Sequence, residues 1–357
     1  MNIRLLLKGV LYRVRKALDG WALSVCARSE VRAVFYYLVM RHAFVGEQYA
    51  TLRGRREFQR RSGVHKGNTF HLRRCVHRLE KGLCMQPRKS HFALDYIGDT
   101  VSNYDALVKT ARTEEQSLDI DTLNWARDVL TLYFDNVGEH PKIYEARRKF
   151  EAVPHPPSRE HGKLVPFVCE SRPNLSVTYE QLLWLAKRRR SIRVFRSGQS
   201  VDRGLIEKAV DVARESPSAC NRQAFRFVIC DEQELVGQVA AIPYGTTGFA
   251  NGIPSLIVVV GDLSAYAEER DRHVIYIDAS MASMALLLSL ETLGLSSCCI
   301  NWPDYRDKDA KIAKLLGLAP YQRVIMLIAV GHADARGLVP RSHKRSSLDL
   351  TNSDLHR

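Results

Sequence analysis

One uncharged stretch, residues 235–261, limits the folds open to this chain. It is the longest run without a charged side chain, but turn-forming residues interrupt it: Pro243, Gly245, Gly248, Gly252 and Pro254. A transmembrane helix needs about 20 consecutive apolar residues, and here only residues 256–260 are continuously apolar. A short apolar run bounded by turn formers is typical of a buried strand. The sequence therefore predicts a globular fold with a buried sheet.

Basic charge is concentrated at the N-terminal end. Residues 1–100 carry 20 Lys and Arg against 7 Asp and Glu, a net charge of +13, whereas residues 101–357 carry 33 against 32, a net charge of +1. The first residues do not form a secretory signal, because basic residues interrupt the apolar region: Arg4, Lys8, Arg13, Arg15 and Lys16. We therefore expect a cytoplasmic protein.

Prolines between residues 151 and 177 predict a boundary within the chain. We expect a basic, mainly helical region over residues 1–150, a proline-rich linker over 151–177 and a second domain over 178–350. None of the eight cysteines forms a CxxC pair. The sequence therefore indicates free buried thiols and no metal site.

The basic region permits several partners. Residues 1–45 combine apolar and basic residues at helical spacing, so these helices either lie on an anionic membrane surface or pack on their own protein. Residues 46–90 are rich in arginine and histidine, but no RNA- or DNA-binding signature accompanies that charge. We therefore expect a solvated or phosphate-facing helical face in this segment and no nucleic-acid partner.

The C-terminal part alternates amphipathic helices with short apolar strands. The patterns predict helices over 178–189, 203–215, 275–293 and 308–316, and strands over 224–230, 255–261 and 322–330. A further short segment covers residues 296–301. This order predicts a sheet covered by helices, in the α+β or α/β class.

Four segments carry side chains suited to binding a phosphate and a flat polar ring. They are RRSIR at 189–193, SPSACNRQ at 216–223, GLSSCCIN at 294–301 and the basic cluster RSHKR at 341–345. Guanidinium groups and a hydroxyl hold phosphate, and small or amide side chains can hydrogen-bond a heterocycle. Each segment alone is equally typical of a helix end, a turn or a charged tail.

The order and spacing of these segments resemble the nitroreductase family of flavoproteins over residues 178–350. The resemblance implies an α+β fold with a mostly antiparallel sheet flanked by helices. It also implies an intertwined homodimer that binds FMN at the subunit interface, with NADH or NADPH as electron donor. In such an enzyme a hydride passes from NAD(P)H to the flavin N5, and an unidentified acceptor then takes the electrons in a ping-pong reaction.

The resemblance assigns a set of cofactor-binding residues. Arg189 and Ser191 would hold the FMN phosphate, with Arg190 beside them, and Arg193 would reach the ribityl chain and the pyrimidine edge. The second segment would lie against the flavin through Pro217, Ser218, Asn221 and Gln223. Backbone amides at Ile300 and Asn301 would face N5, and Lys344 and Arg345 would complete the phosphate site. No side chain is assigned as a catalytic acid, base or nucleophile.

This chain departs from the family pattern at two places. Ala224 and Phe225 stand where the family usually has Pro-Trp, and Asp278-Ala279-Ser280 stands where the dimer-forming helix usually begins Asp-x-Gly. The loop containing Tyr244, Phe249 and Asn251 is expected to cover the open face of the flavin.

The substrate is left open by the sequence. The segment HRLEKGL at 77–83 is similar to one in nitroreductase-like proteins linked to cell-surface polysaccharide biosynthesis. That likeness, with the charge of residues 1–90, suggests contact with the inner face of an anionic membrane and a small-molecule or lipid-linked substrate. The alternatives are a flavin dehydrogenase that uses oxygen as acceptor and a non-catalytic, membrane-associated flavin-fold protein.

Overall fold

The N-terminal part of the chain is helical. The computed structural model describes residues 3–62, 67–113, 120–156 and 162–351. The helices of this part are α1 (Ile3–Cys26), α2 (Glu30–Phe35), α3 (Val45–Arg61), α4 (Thr69–Cys84), α5 (Ile97–Thr113), α6 (Ile120–Asn136) and α7 (Pro141–Glu151), with a π-helical turn at Tyr36–Arg41 after α2. The predicted helical character of this region is confirmed.

The C-terminal part is a sheet with helices on both faces. Its helices are α8 (Tyr179–Arg188), α9 (Arg203–Ala213), α10 (Gln233–Ala240), α11 (Val274–Thr292), α12 (Arg306–Leu316) and the short α13 (Ser347–Thr351). Its strands are β1 (Phe225–Cys230), β2 (Ser255–Asp262), β3 (Ser296–Asn301) and β4 (Gln322–Gly331). The strands predicted at 224–230, 255–261 and 322–330 are all present, and the short segment at 296–301 is also a strand.

Local sequence signals explain where several helices begin and end. Thr178 and Gln181 form a capping box at the start of α8, in which the Gln181 amide donates to Thr178 Oγ1 at 3.2 Å and the Thr178 amide donates to Gln181 Oε1 at 3.0 Å. Asp202 caps α9 by accepting from the Gly204 amide. These caps satisfy backbone groups that would otherwise lack partners.

The sheet is antiparallel throughout and has the strand order β1-β2-β4-β3. The two central strands are buried on both faces. Leu256, Val258 and Val260 pack with α10 and α12, while the alternating Ile257 and Val259 pack with α9 and α11. Because successive side chains of a strand point to opposite faces, this double burial explains the continuous apolar run in the sequence. The predicted α+β class with a mostly antiparallel sheet is confirmed.

The helical N-terminal part has its own apolar core, built by α4 to α7 around Leu79, Tyr104, Leu130 and Tyr133. Within the proline-rich segment the structure describes residues 151–156 and 162–177. These residues are irregular after the end of α7, except for a short turn at Cys169–Ser171. The boundaries proposed at residues 150 and 178 stay predictions, and residues 157–161 of the linker lie outside the described residues.

Helix α3 packs directly against the sheet domain. At Gly54 a Cβ atom would lie 2.7 Å from the backbone carbon and oxygen of Leu263, so only a glycine allows this approach. Next to it, Arg55 Nε donates to the Ala267 carbonyl at 3.0 Å, and its guanidinium also pairs with Glu269 at 2.6 Å. Arg55, from the basic 46–90 segment, therefore binds the C-terminal part of the chain. The expectation of a solvated or phosphate-facing helical face in this segment was wrong for this residue.

Two further expectations are refined by the structure. The eight cysteines form no disulfide, but Cys84, Cys169 and Cys299 are exposed, so the expected burial of all thiols was wrong for these three. Among the described residues one span, Glu269–Thr292, is long and apolar enough to cross a membrane, and half of it is buried within the chain. The side chains of residues 3–11, which include Arg4 and Lys8, lie outside the described part.

Replacing Gly54 with alanine tests the contact between α3 and the sheet domain. We expect Gly54→Ala to lower the free energy of unfolding by about 1–3 kcal/mol, because the new methyl group overlaps the Leu263 backbone. Gly98→Ala, in α5 with no atom within 4 Å of the new Cβ, is the matched control and should not destabilise the protein. Urea denaturation of both variants measures the difference, and equal stability of the two would contradict the packing described.

Candidate functional site

The RRSIR segment lies along the free edge of the sheet. After α8 ends, the Ile192 amide donates to the Ser297 carbonyl at 3.0 Å, and Ser191 and Ser297 form an isolated parallel bridge. Four residues after Ile192 the chain passes the end of β4, where the Arg196 amide donates to the His332 carbonyl at 2.8 Å. The backbone of RRSIR is therefore fixed to the outer edge of β3, and its side chains take defined positions there.

Arg189 is the first side chain of this segment and the most informative one. Its Nε is buried and has no hydrogen-bond partner among the described residues. The neighbouring Arg190 donates from Nη1 to the Arg189 carbonyl at 2.9 Å, which orients its guanidinium back along the chain. A buried guanidinium nitrogen without a partner is costly, and a phosphate or carboxylate oxygen is its natural acceptor. The residues present fit an anionic group at this position.

Two arginines of this segment add positive charge beside β3. Burial raises the pKa of the Cys298 thiol, while Arg193, Ser191 and Arg189 each act in the opposite direction. Because the Ile192–Ser297 hydrogen bond holds the segment along β3, Arg189, Ser191 and Arg193 lie near one another and near Cys298. The three side chains that the sequence assigned to a phosphate and its neighbouring ring thus form one cluster, the edge cluster.

A cavity of about 640 Å³ opens beside Arg193. It is lined by residues 193–195 and by residues 247–252, and the Arg193 guanidinium lies 6.0 Å from the centre of the Phe249 ring. Phe249 and Asn251 therefore line a cavity beside Arg193, and their predicted role in covering a flavin stays a prediction. Tyr244 faces elsewhere, with its ring against Tyr305 and under the Lys308 ammonium group at 3.9 Å.

Strand β3 contributes backbone groups to the edge, but not those of Ile300. Ile300 is buried and pairs with Leu327 of β4. Because neighbouring residues of a strand direct their backbone groups to opposite edges, Asn301 shares the free edge with Ser297, whereas the Ile300 amide is directed at β4. The prediction that the Ile300 amide is available to a ligand is therefore corrected, and the prediction for Asn301 stands as an expectation.

The SPSACNRQ segment forms a tight turn between α9 and β1. Cys220, Asn221 and Gln223 have positive φ angles of 54°, 50° and 52°, a left-handed conformation that few residues other than glycine adopt. The Gln223 amide donates to Ser218 Oγ at 3.1 Å, and Gln223 Nε2 donates to Asn221 Oδ1 at 2.9 Å. These bonds fix the polar side chains that the sequence assigned to the cofactor.

Asp278 of α11 contacts this turn through a hydrogen bond. Its carboxylate, in the first half of α11, is buried and accepts from the Ala219 amide at 3.0 Å. Burial raises the pKa of Asp278, against the effects of the Ala219 hydrogen bond and of Arg222. The sequence identified Asp278 only as the start of a helix and gave no sign of this contact.

Arg73 also contacts the turn through a hydrogen bond. It comes from α4 in the N-terminal region, and its Nε donates to the Asn221 carbonyl at 2.7 Å. Its guanidinium also lies 5.3 Å from the centre of the Trp125 ring of α6. Arg73 was one of many arginines in a basic segment, so no pattern in the sequence could have distinguished it.

The structure does not join all the predicted residues within one chain. No contact between described residues links the edge cluster to the turn at 216–223. Pro217 lies in the wall of a second cavity, next to Asn221 and Gln223. Lys344 and Arg345 are exposed in an irregular segment between β4 and α13.

Comparison with known proteins shows that part of the sheet domain is similar to a known family. Residues 186–245 and 237–332 match the model of the Nitroreductase family. The chain is 27% identical to an iodotyrosine deiodinase of Thermotoga neapolitana, over 42% of this chain and 87% of that protein. It is also 27% identical to a protein named as an NADH dehydrogenase/NAD(P)H nitroreductase of Methanothermobacter thermautotrophicus, over 44% of this chain and 79% of that protein.

A nitroreductase of Desulfovibrio desulfuricans, crystallised in complex with FMN, is 22% identical to this chain, with a TM-score of 0.41. The match covers 50% of this chain and 98% of that one.

The Asp278 contact can be tested by two substitutions of the same residue. Asp278→Ala leaves the Ala219 amide without an acceptor, and we expect it to lower the free energy of unfolding by about 1–3 kcal/mol. Asp278→Asn keeps an acceptor oxygen and removes a buried charge, so it should be at least as stable as the parent at neutral pH. Because burial raises the pKa of Asp278, the native state holds this proton more tightly than the unfolded chain, and the contribution of Asp278 to stability falls as pH rises through its folded pKa.

Denaturation curves at acidic and neutral pH measure both effects. A loss of stability in Asp278→Asn as large as that in Asp278→Ala would contradict the role of the oxygen as the acceptor for the turn.

Proposed function

We propose that this protein is an FMN-dependent oxidoreductase supplied with electrons by NADH or NADPH, because residues 186–332 match the Nitroreductase family. The observation that carries the proposal is the edge cluster, in which the buried Arg189 Nε lacks a partner among the described residues. Arg189 and Ser191 would hold the phosphate, with Arg190 beside them.

The residues around this position suit the chemistry of a flavin. When bound, FMN would accept a hydride from a reduced nicotinamide and deliver the electrons to an oxidant. Arg193 supplies positive charge next to the cavity, which favours an anionic reduced cofactor. Phe249 contributes an aromatic ring to the wall of the cavity. No side chain of the edge cluster has to act as a general base.

The arginine pair at the end of α8 gives a matched test of this proposal. Arg189→Gln removes the guanidinium whose buried Nε lacks a partner among the described residues, and we expect it to weaken FMN binding by about tenfold or more, as for a lost hydrogen bond to a charged group. Arg188→Gln is the control, because Arg188 is half-exposed and pairs with Glu291 at 2.9 Å. Fluorescence titration of the apoprotein with FMN measures both constants, and equal constants for the two variants would contradict the assignment of Arg189.

We further propose that the active form is a homodimer. Helices α8 and α11 expose large apolar side chains, among them Tyr179, Leu182 and Trp184 on α8 and Ile277, Met281 and Met284 on α11. The spacing of the three residues on α11 puts them on one helix face, and an exposed apolar face of this kind marks an interface. A second copy also supplies what one chain lacks, since the turn of one subunit could then meet the edge cluster of the other.

A charged residue in the centre of this face tests the dimer. We expect Met281→Lys to convert the dimer to monomers, because burying an unpaired ammonium in an apolar interface is unfavourable. Tyr144→Lys, which changes an equally large exposed apolar residue on α7, should leave the dimer intact. Sedimentation velocity distinguishes the two results, and a Met281→Lys variant that remains dimeric would contradict the assigned face.

Two finer parts of the function remain predictions. Contact with an anionic membrane is supported by the exposed apolar residues Leu18, Trp21 and Leu23 of α1 within the basic region. The lipid-linked or polysaccharide-related substrate, with oxygen as the alternative electron acceptor, stays a prediction from the sequence.

A further inference from the structure

A second cavity, of about 580 Å³, lies between helix α6 and the turn at 216–223. Helix α6 contributes Asp121, Asn124, Trp125 and Asp128 to its wall. These positions follow the i, i+3, i+4, i+7 spacing of one helix face, so a polar stripe of the N-terminal region is directed at the turn. An inward polar stripe conflicts with the usual pattern of an amphipathic helix and requires a reason.

Asn124 is the critical residue of this stripe. Its side chain is 1% exposed, and neither Oδ1 nor Nδ2 has a hydrogen-bond partner among the described residues. Buried amide groups in folded proteins are nearly always hydrogen-bonded, and a buried donor and acceptor left without partners destabilise the fold. Asn124 is therefore a candidate for hydrogen bonding to a ligand.

Several charged groups of the wall already have hydrogen-bond partners. Arg127 donates to Asp128 at 2.8 Å and to the Pro156 carbonyl at 3.0 Å, and Arg73 donates to the Asn221 carbonyl. A charged ligand would have to break these pairs, whereas a neutral one leaves them intact. Since the amide of Asn124 presents one acceptor next to one donor, its complement is a neutral group that presents a donor next to an acceptor.

We propose that this cavity binds the amide or imide group of a substrate through paired hydrogen bonds with Asn124. The inference rests on the proposed function, because the opposite wall is the turn whose Asn221 and Gln223 are assigned to the cofactor. Arg73 couples the two walls, since it contacts both Asn221 and the Trp125 ring. The N-terminal region thereby acts as the part of the enzyme that selects its substrate. The group recognised belongs either to the carboxamide of the nicotinamide donor or to an imide-bearing acceptor.

Binding of small probes tests the proposal and separates the two sources. Nicotinamide represents the donor, uracil represents an imide acceptor, and 3-acetylpyridine matches nicotinamide in shape but lacks the N–H donor. We expect ligand-observed NMR to detect nicotinamide or uracil, but not 3-acetylpyridine, on the FMN-loaded protein. Asn124→Leu should weaken that binding by about tenfold or more. Asn136→Leu, on the same helix with its Nδ2 bonded to the Leu132 carbonyl, should bind the probe as the parent does.

Thermal stability provides an independent readout that does not depend on activity. Because Leu removes two unpaired polar atoms and has the same side-chain branching as Asn, we expect Asn124→Leu to melt at the temperature of the parent or about 2 °C above it without ligand. A melting temperature lowered by several degrees would show that Asn124 has a structural partner and would overturn the proposal.

Two other results would also overturn it: parent protein that binds neither nicotinamide nor uracil, and Asn124→Leu that binds them unchanged. The FMN content of each protein is measured in parallel. A parent that takes up no FMN contradicts the proposed function, whereas an FMN-loaded parent whose amide binding is independent of Asn124 contradicts only this inference.

Discussion

Burial of β2 and β4 on both faces determines where a ligand can reach this sheet. Their side chains alternate between the α10 and α12 layer and the α9 and α11 layer, so neither face of the sheet centre is open to a cofactor. In the order β1-β2-β4-β3, the outer edges of β1 and β3 remain. The RRSIR segment lies along the edge of β3 through the Ile192–Ser297 hydrogen bond. This position puts Arg189, Ser191 and Arg193 at a partly exposed edge of the sheet.

Periodicity made the C-terminal fold predictable, because the apolar run at 256–260 and the amphipathic helices around it depend on local sequence alone. Contacts between distant segments could not be predicted in the same way. Arg73 and Asp278 hold the turn at 216–223 from two sides, but each residue looked like many others of its kind. The positive φ angles at Cys220, Asn221 and Gln223 could not be predicted, because none of these positions is a glycine. The direction of the Ile300 amide depends on the strand register, which no motif encodes.

Several of the basic residues in the first hundred positions bind other parts of the same chain. Arg55 binds the carbonyl of Ala267, Arg61 binds the Tyr321 hydroxyl at 3.1 Å, and Arg73 binds the carbonyl of Asn221. Guanidinium groups suit such contacts because they remain charged and offer several donors in a fixed plane. The N-terminal region is therefore an integral part of the molecule next to the candidate site, and its charge is not a measure of membrane or nucleic-acid affinity by itself.

The central claim is that the edge cluster and the turn belong to a flavin site that accepts electrons from a nicotinamide. An absorption spectrum of the purified protein, supplemented with FMN where needed and recorded before and after anaerobic addition of NADH or NADPH, tests it most directly. The account predicts the visible bands of a protein-bound oxidised flavin and their bleaching by at least one of the two donors. A colourless protein that does not take up added FMN would contradict it.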